Sequence, residues 1–236
     1  MNTNRINAAI VGILFILGTV TGVVAATIEN PILSAPNYLV KMAVNSEQMT
    51  IGTFLQFLMA MSCAGIGLAL YPIMRKYSEG LAIAVSGFRV IEGMIQVLGG
   101  VLAISLLSLS QAFVKAGAPD PLAFQTTGAV IKAGSDWINN GAMLLPWCIA
   151  ALMYYSVFYQ HHLVPRWISI WGLVGILLTI LSSLFQMLNL LPATATFQTV
   201  ANLPIAVQEM VFAVWLIVKG ISSSPIASLP ERTPTL

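Results

Sequence analysis

Ten basic and eight acidic side chains are all the full charge that 236 residues carry at neutral pH, with two histidines besides. At 8% charged and 58% hydrophobic, with a mean hydropathy of +0.88, the chain lies far from soluble domains, about a quarter of whose residues are charged. No stretch is polar enough to form a separate soluble domain. A formal charge of +2 with scattered basic residues leaves nothing to hold a phosphate backbone, which sets nucleic acid aside as a partner. The two cysteines, Cys63 and Cys148, lie in apolar runs with no Cys-x-x-Cys spacing. That excludes a disulfide scaffold and a metal knuckle and reads as packed small hydrophobes.

Long apolar runs are what remain. Six are of spanning length, near 8–28, 50–72, 83–107, 138–160, 166–190 and 202–219, against the roughly 17–25 helical residues that cross a bilayer. Backbone groups in hydrocarbon must pair within their own segment, so each run is expected to be a helix, and unbroken runs do not suit a β-barrel. The expected fold is an all-α membrane protein: a bundle of six transmembrane helices over 1–220. Short interfacial helices are expected in the two longer outer loops, and a disordered cytoplasmic tail over 221–236. The first run exceeds the 7–15 apolar residues of a signal core, so it reads as a retained helix.

Local signals divide the chain. Asn45 and Gln48 resemble a capping pair for the second helix, and Gln56, Ala60, Cys63 and Gly67 share a stripe of it. Asp120-Pro121 reads as a helix start, with Phe124, Gly128 and Ile131 on one face of a surface helix. Asp136, Asn139 and Asn140 read as a cap for the fourth helix, which Pro146 is expected to kink. Its Tyr154, Tyr155 and Tyr159 read as an interfacial aromatic belt. On the fifth helix Gly172, Gly175, Thr179 and Gln186 form a packing sector. The sixth ends at Lys219-Gly220, favourable helix-ending chemistry. Six basic residues (Arg5, Arg75, Lys76, Arg166, Lys219, Arg232) fall on one side and three (Lys41, Lys115, Lys132) on the other. The positive-inside rule then puts both termini in the cytoplasm.

Charge inside a span is the informative exception. Ser86, Arg89, Glu92, Gly93 and Gln96 follow the helical period in the third run, and a charged residue at a span centre costs at least about 2.5–3.5 kcal/mol. Arg89 and Glu92, three apart, can neutralise each other. Glu209, with Gln208 beside it, sits inside the sixth run. Helical rise puts it within one or two turns of Glu92 in depth. Arg89 is therefore expected to bridge Glu92 and Glu209, with Gln96 or Gln56 completing a buried polar cluster. That cluster reads either as a structural clamp, the preferred reading, or as a ligand or proton site, intramembrane ionisable groups being functional candidates by default. His161, His162, Arg166 and Trp167 read as a solvated interfacial turn. Adjacent histidines lack metal-ligand spacing, so no metal site is expected. No nucleophile has a base partner within the spans, so no catalytic residues and no cofactor are expected.

Three stretches, YPIMRKYSEGLAIAVSGFRVIE (71–92), LVPRWISIWGLVG (163–175) and PIAVQEMVFAVWLIVKG (204–220), resemble the bacterial integral membrane proteins of domain-of-unknown-function family 4386. The resemblance runs from the first helix to Gly220. It implies a bacterial cytoplasmic (inner) membrane protein of six helices and supplies no catalytic residues. The leading function class is a non-enzymatic small-ligand- or lipid-binding, sensing or accessory component, with the bilayer and a lipid or small amphipathic ligand as partners. A small transporter or permease is the alternative, although the two halves show no repeat; homo-oligomerisation stays open. An intramembrane enzyme ranks last.

Overall fold

A computed structural model describes residues 3–117, 121–188 and 195–222. Among these every regular element is helical: α1 (Thr3–Leu33), α2 (Tyr38–Val44), α3 (Ser46–Met74), α4 (Glu79–Lys115), α5 (Pro121–Trp137), a π-helical turn (Ile138–Ala142), α6 (Leu144–Gln160), α7 (Arg166–Met187) and α8 (Ala195–Val218). Among the described residues four segments are long and apolar enough to cross a membrane: Arg5–Leu33, Ser46–Met74, Glu79–Lys115 and Arg166–Phe185. The chain is a multi-pass membrane protein. The expected tail (from residue 223) and the expected cap at Asp120 lie outside the described residues, as does the side chain of Gln186.

The six longest apolar helices close a ring. Each packs chiefly on two neighbours, in the order α1, α3, α4, α6, α7, α8 and back to α1. Small residues set the close approaches. A Cβ added at Gly67 would stand 2.6 Å from the Arg89 Cβ, and one at Gly93 would stand 2.7 Å from the Ala60 carbonyl oxygen. Gly12 sits as tightly on α8, 2.6 Å from the Ala213 carbonyl oxygen, and Gly172 lies on the Tyr155 ring. Lipid tails are as apolar as leucine, so dispersion from such close packing, not water exclusion, holds these helices together. Gly67→Ala is accordingly expected to lower stability in detergent by about 1–3 kcal/mol. Gly87→Ala, with nothing within 4 Å of its added methyl, should leave the melting temperature unchanged or slightly raised. Equal effects would show that the α3–α4 contact is not tight.

Helix ends follow local chemistry, not always as expected. The Ser78 hydroxyl accepts from the Leu81 amide at 3.3 Å and starts α4. Asn45 occupies the N-cap position of α3 but makes no side-chain cap there; its amide donates back to the Lys41 carbonyl at 2.7 Å, closing α2. Asp136 and Asn139 do not cap α6, whose N-cap position is Met143, and the side chain of Asn140 lies outside the described residues. The chain stays helical through the π turn, so no free helix start exists to be capped. Pro146 has no N–H for the Ala142 carbonyl, and the irregularity falls N-terminal to it, where the Met143 amide reaches back to Ile138 at 3.1 Å. The expected kinked span is thus a π turn followed by the 17-residue α6. Lys219 and Gly220 both donate to the Trp215 carbonyl, Gly220 with φ +74°, which ends α8 as expected.

At 37 residues, α4 is about 55 Å long, well beyond the roughly 30 Å hydrocarbon core. Its far end joins α1, α2, α3 and α5 in a second small core of Ile32, Leu39, Met42, Met49, Leu106, Leu107 and Phe113. The Phe124, Gly128, Ile131 face of α5 turns into this cap: Phe124 packs on Phe113 and Gly128 on Tyr38. Leu122, Val130 and Trp137 are the large apolar residues that α5 exposes.

Candidate functional site

The ring interior is filled by side chains reaching across it. On α4, successive inward positions are Val85, Arg89, Glu92, Gln96, Gly99 and Ala103, all buried. Arg89 is 2% exposed and among the largest fully buried side chains. Its Nη1 lies 2.8 Å from the Glu92 Oε2, and its Nε donates to the Cys63 carbonyl at 3.3 Å. The guanidinium carbon stands 5.8 Å from the Phe15 ring centroid, a cation–π distance. Gln96 donates from Nε2 to Glu92 Oε1 at 3.2 Å and contacts Cys63 Sγ at 3.5 Å. One arginine thus ties α4 to α3 and α1. Ser86 reinforces that seam by donating to the Gly67 carbonyl at 2.9 Å.

Glu209 enters from α8. It is 9% exposed, lies within electrostatic reach of Arg89 and Glu92, and accepts from the Trp147 indole. Among the described residues it forms no ion pair with Arg89, whose carboxylate partner is Glu92. The expected bridge is therefore closed on one side only. Gln208 points elsewhere, accepting from the Tyr155 hydroxyl at 2.6 Å and donating to the Ile168 carbonyl at 3.0 Å, so it locks α8 to α6 and α7. Among the described residues, besides the paired atoms themselves, three buried oxygens around the ion pair have no hydrogen-bond partner: Glu209 Oε1, Gln96 Oε1 and the Tyr154 hydroxyl, which lies within electrostatic reach of both Arg89 and Glu209.

Toward one end of the ring the cluster is sealed by rings. Phe212 lies 5.5–5.6 Å, centroid to centroid, from Phe15, Tyr155 and Phe158, and 6.4 Å from Tyr154. Tyr154 and Tyr155 are fully buried, which corrects the expected aromatic belt. Both fall on the inward face of α6, and Tyr159 alone of the three is partly exposed.

The family model described as Domain of unknown function (DUF4386) matches residues 10–220. The chain belongs to that family. No curated protein and no solved structure matches it. The match takes in all three quoted stretches, and with them Arg89, Glu92, Gln96, Gln208 and Glu209.

Gln56 does not join the cluster of this DUF4386 protein. Its amide bonds the Glu29 carboxylate, which also accepts from Thr53 at 3.4 Å. Gln56 lies seven residues from Cys63 along α3, about 10 Å of rise, and turns toward α1, out of reach of Arg89. Glu29, expected in an outer loop, is 3% exposed, because α1 runs on to Leu33. It is a third buried acid, apart from Glu92 and Glu209 and packed on Gly52.

The interfacial residues stand apart from these acids. His161 stacks on Tyr77 with centroids 4.4 Å apart. His162, at φ 53°, lies 3.0 Å from Arg166, whose guanidinium covers Tyr159; Trp167 is half exposed and packs on Trp171. Among the described residues no three His, Cys, Asp or Glu side chains are grouped to hold a metal.

Proposed function

We propose that this protein is a non-enzymatic membrane component that binds a small ligand or lipid, with a sensing or accessory role. Its site is the polar cluster of Arg89, Glu92, Gln96 and Glu209. The observation that carries this reading is the set of orphaned oxygens beside a buried ion pair. A structural clamp gains stability by satisfying its members, and each unmet buried polar atom costs about 1–3 kcal/mol. A bound group that supplies the missing partners removes that penalty. Native mass spectrometry of the purified protein tests it. Wild type is expected to retain a small molecule or lipid that Glu209→Gln loses; no retained species in either supports the clamp instead.

The same reading places the protein in a bacterial cytoplasmic membrane with six spans, the α6 and α8 regions crossing beside α1, α3, α4 and α7, and both termini inside. The basic-residue asymmetry supports that orientation. Reporter fusions after Gly117 and Leu236 are expected to report opposite sides, the second cytoplasmic. A small transporter is the second reading, favoured by one specific observation: Glu29 and the Arg89 cluster set two buried acid stations at different depths along α1 and α3.

A further inference from the structure

Resting on that binding site, we infer that its occupant is a primary ammonium group, from a free amine or an aminolipid headgroup. The orphaned atoms decide the polarity of the ligand. Glu209 Oε1 and Gln96 Oε1 are both acceptors, the orphaned Tyr154 hydroxyl can accept as well, and all three are on residues at least nine-tenths buried. They flank one ion pair: Gln96 is bonded to Glu92, and Glu209 interacts electrostatically with Arg89 and Glu92 alike. A ligand that completes this set must donate hydrogen bonds, and an ammonium brings three donors and no acceptor.

Charge points the same way. Arg89 is matched by Glu92 at 2.8 Å, so the Glu209 carboxylate is left as the uncompensated charge, and an anion such as phosphate would add a second one beside it. Among the described residues no lysine or histidine is buried in the ring interior. A hard divalent ion needs six or more oxygens, whereas among the described residues no acidic, histidine and cysteine group of metal-binding size exists. Aromatic surface is at hand: Trp147 contacts Glu209, and Tyr154 and Tyr155 lie within its electrostatic reach. Such faces attract a cation with a short apolar tail.

The test uses the full chain in phosphatidylcholine nanodiscs, with n-butylammonium chloride as the probe. Butylammonium is expected to raise the melting temperature by several degrees at millimolar concentration. Sodium chloride, sodium butyrate, butanol and tetramethylammonium, which lacks N–H groups, should not. Glu209→Gln is expected to abolish the shift and Gln96→Leu to weaken the apparent affinity about tenfold; the second variant keeps the test decisive if the first does not fold. Phosphatidylethanolamine in the nanodiscs is expected to compete with butylammonium if the amine comes from a lipid and to leave it unaffected if the amine is free. A shift of equal size with butyrate or tetramethylammonium, a shift retained in both variants, or none with butylammonium overturns the inference. A neutral or anionic species retained by wild type and lost in Glu209→Gln would leave the binding reading intact and remove only the ammonium.

Discussion

Replacing Arg89 with methionine is expected to destabilise the protein by about 3–5 kcal/mol, the range for removing one partner of a buried ion pair. The side chain is 2% exposed and makes three separate attachments: to Glu92, to the Cys63 carbonyl and to the Phe15 ring. Methionine fills the space but leaves Glu92 buried with no cation beside it, only Gln96 and the Cys63 thiol as donors. A lone buried carboxylate escapes part of the penalty by taking a proton, yet the Cys63 carbonyl contact stays lost. Arg89→Lys should be intermediate, because a lysine keeps the charge but cannot serve Glu92 and the Cys63 carbonyl with a planar fork. Arg89→Met combined with Glu92→Leu should recover most of the loss, since replacing both partners by packed apolar groups is often neutral. Unfolding of the four proteins in one detergent measures this. If the double variant is no better than Arg89→Met, the Glu92 pairing does not account for the loss.

That double-variant logic rests on a pair legible from the chain alone. An Arg and a Glu three apart in an apolar run have few places to go except toward each other, and the structure puts them at 2.8 Å. Gln96 follows because it lies one further turn along the same face. Glu209 is legible as a buried acid, but not the missing contact to Arg89, since depth along two helices says nothing of their azimuth. Glu29 could have been recognised: Gly18, Gly22, Ala25 and Glu29 recur at helical spacing, so a helix continued past Pro31 turns the acid inward. The first apolar run ends near residue 28, but the helix continues to Leu33, since Pro31 near its end leaves the preceding turns intact. Gln56 was misassigned for the same reason, its partner being the acid that the helix extension buried. Tyr154 and Tyr155 show the limit of position along a span as a guide. Near an end, tyrosine suits an interface, but the α6 face that carries them is closed over by Phe212 and Gly172, and only the ring packing decides between the two.

Phe212→Ala is expected to cost about 3 kcal/mol, the low end for a buried Phe truncation. In a membrane the transfer part of that cost fades, because lipid is as apolar as the core; the lost dispersion across the cavity remains. Phe212 is the hub of the aromatic seal, touching Phe15, Tyr154, Tyr155 and Phe158, so no single neighbour can relax into its space. Phe124→Ala, in the separate cap core at the other end of α4, should cost less, because that residue is only partly buried. The two variants also differ in what they open. Cys63, buried beside Gln96 and Arg89, is a native reporter of water reaching the cluster. In a Cys148→Ala background its alkylation by a water-soluble maleimide is expected to speed up at least tenfold with Phe212→Ala and to stay unchanged with Phe124→Ala. Equal labelling in both would mean that the aromatic residues pack the ring without closing it. Fast labelling confined to Phe212→Ala would identify this layer as the barrier between the polar cluster and the end of the bundle that carries Arg5, Arg75 and Lys219.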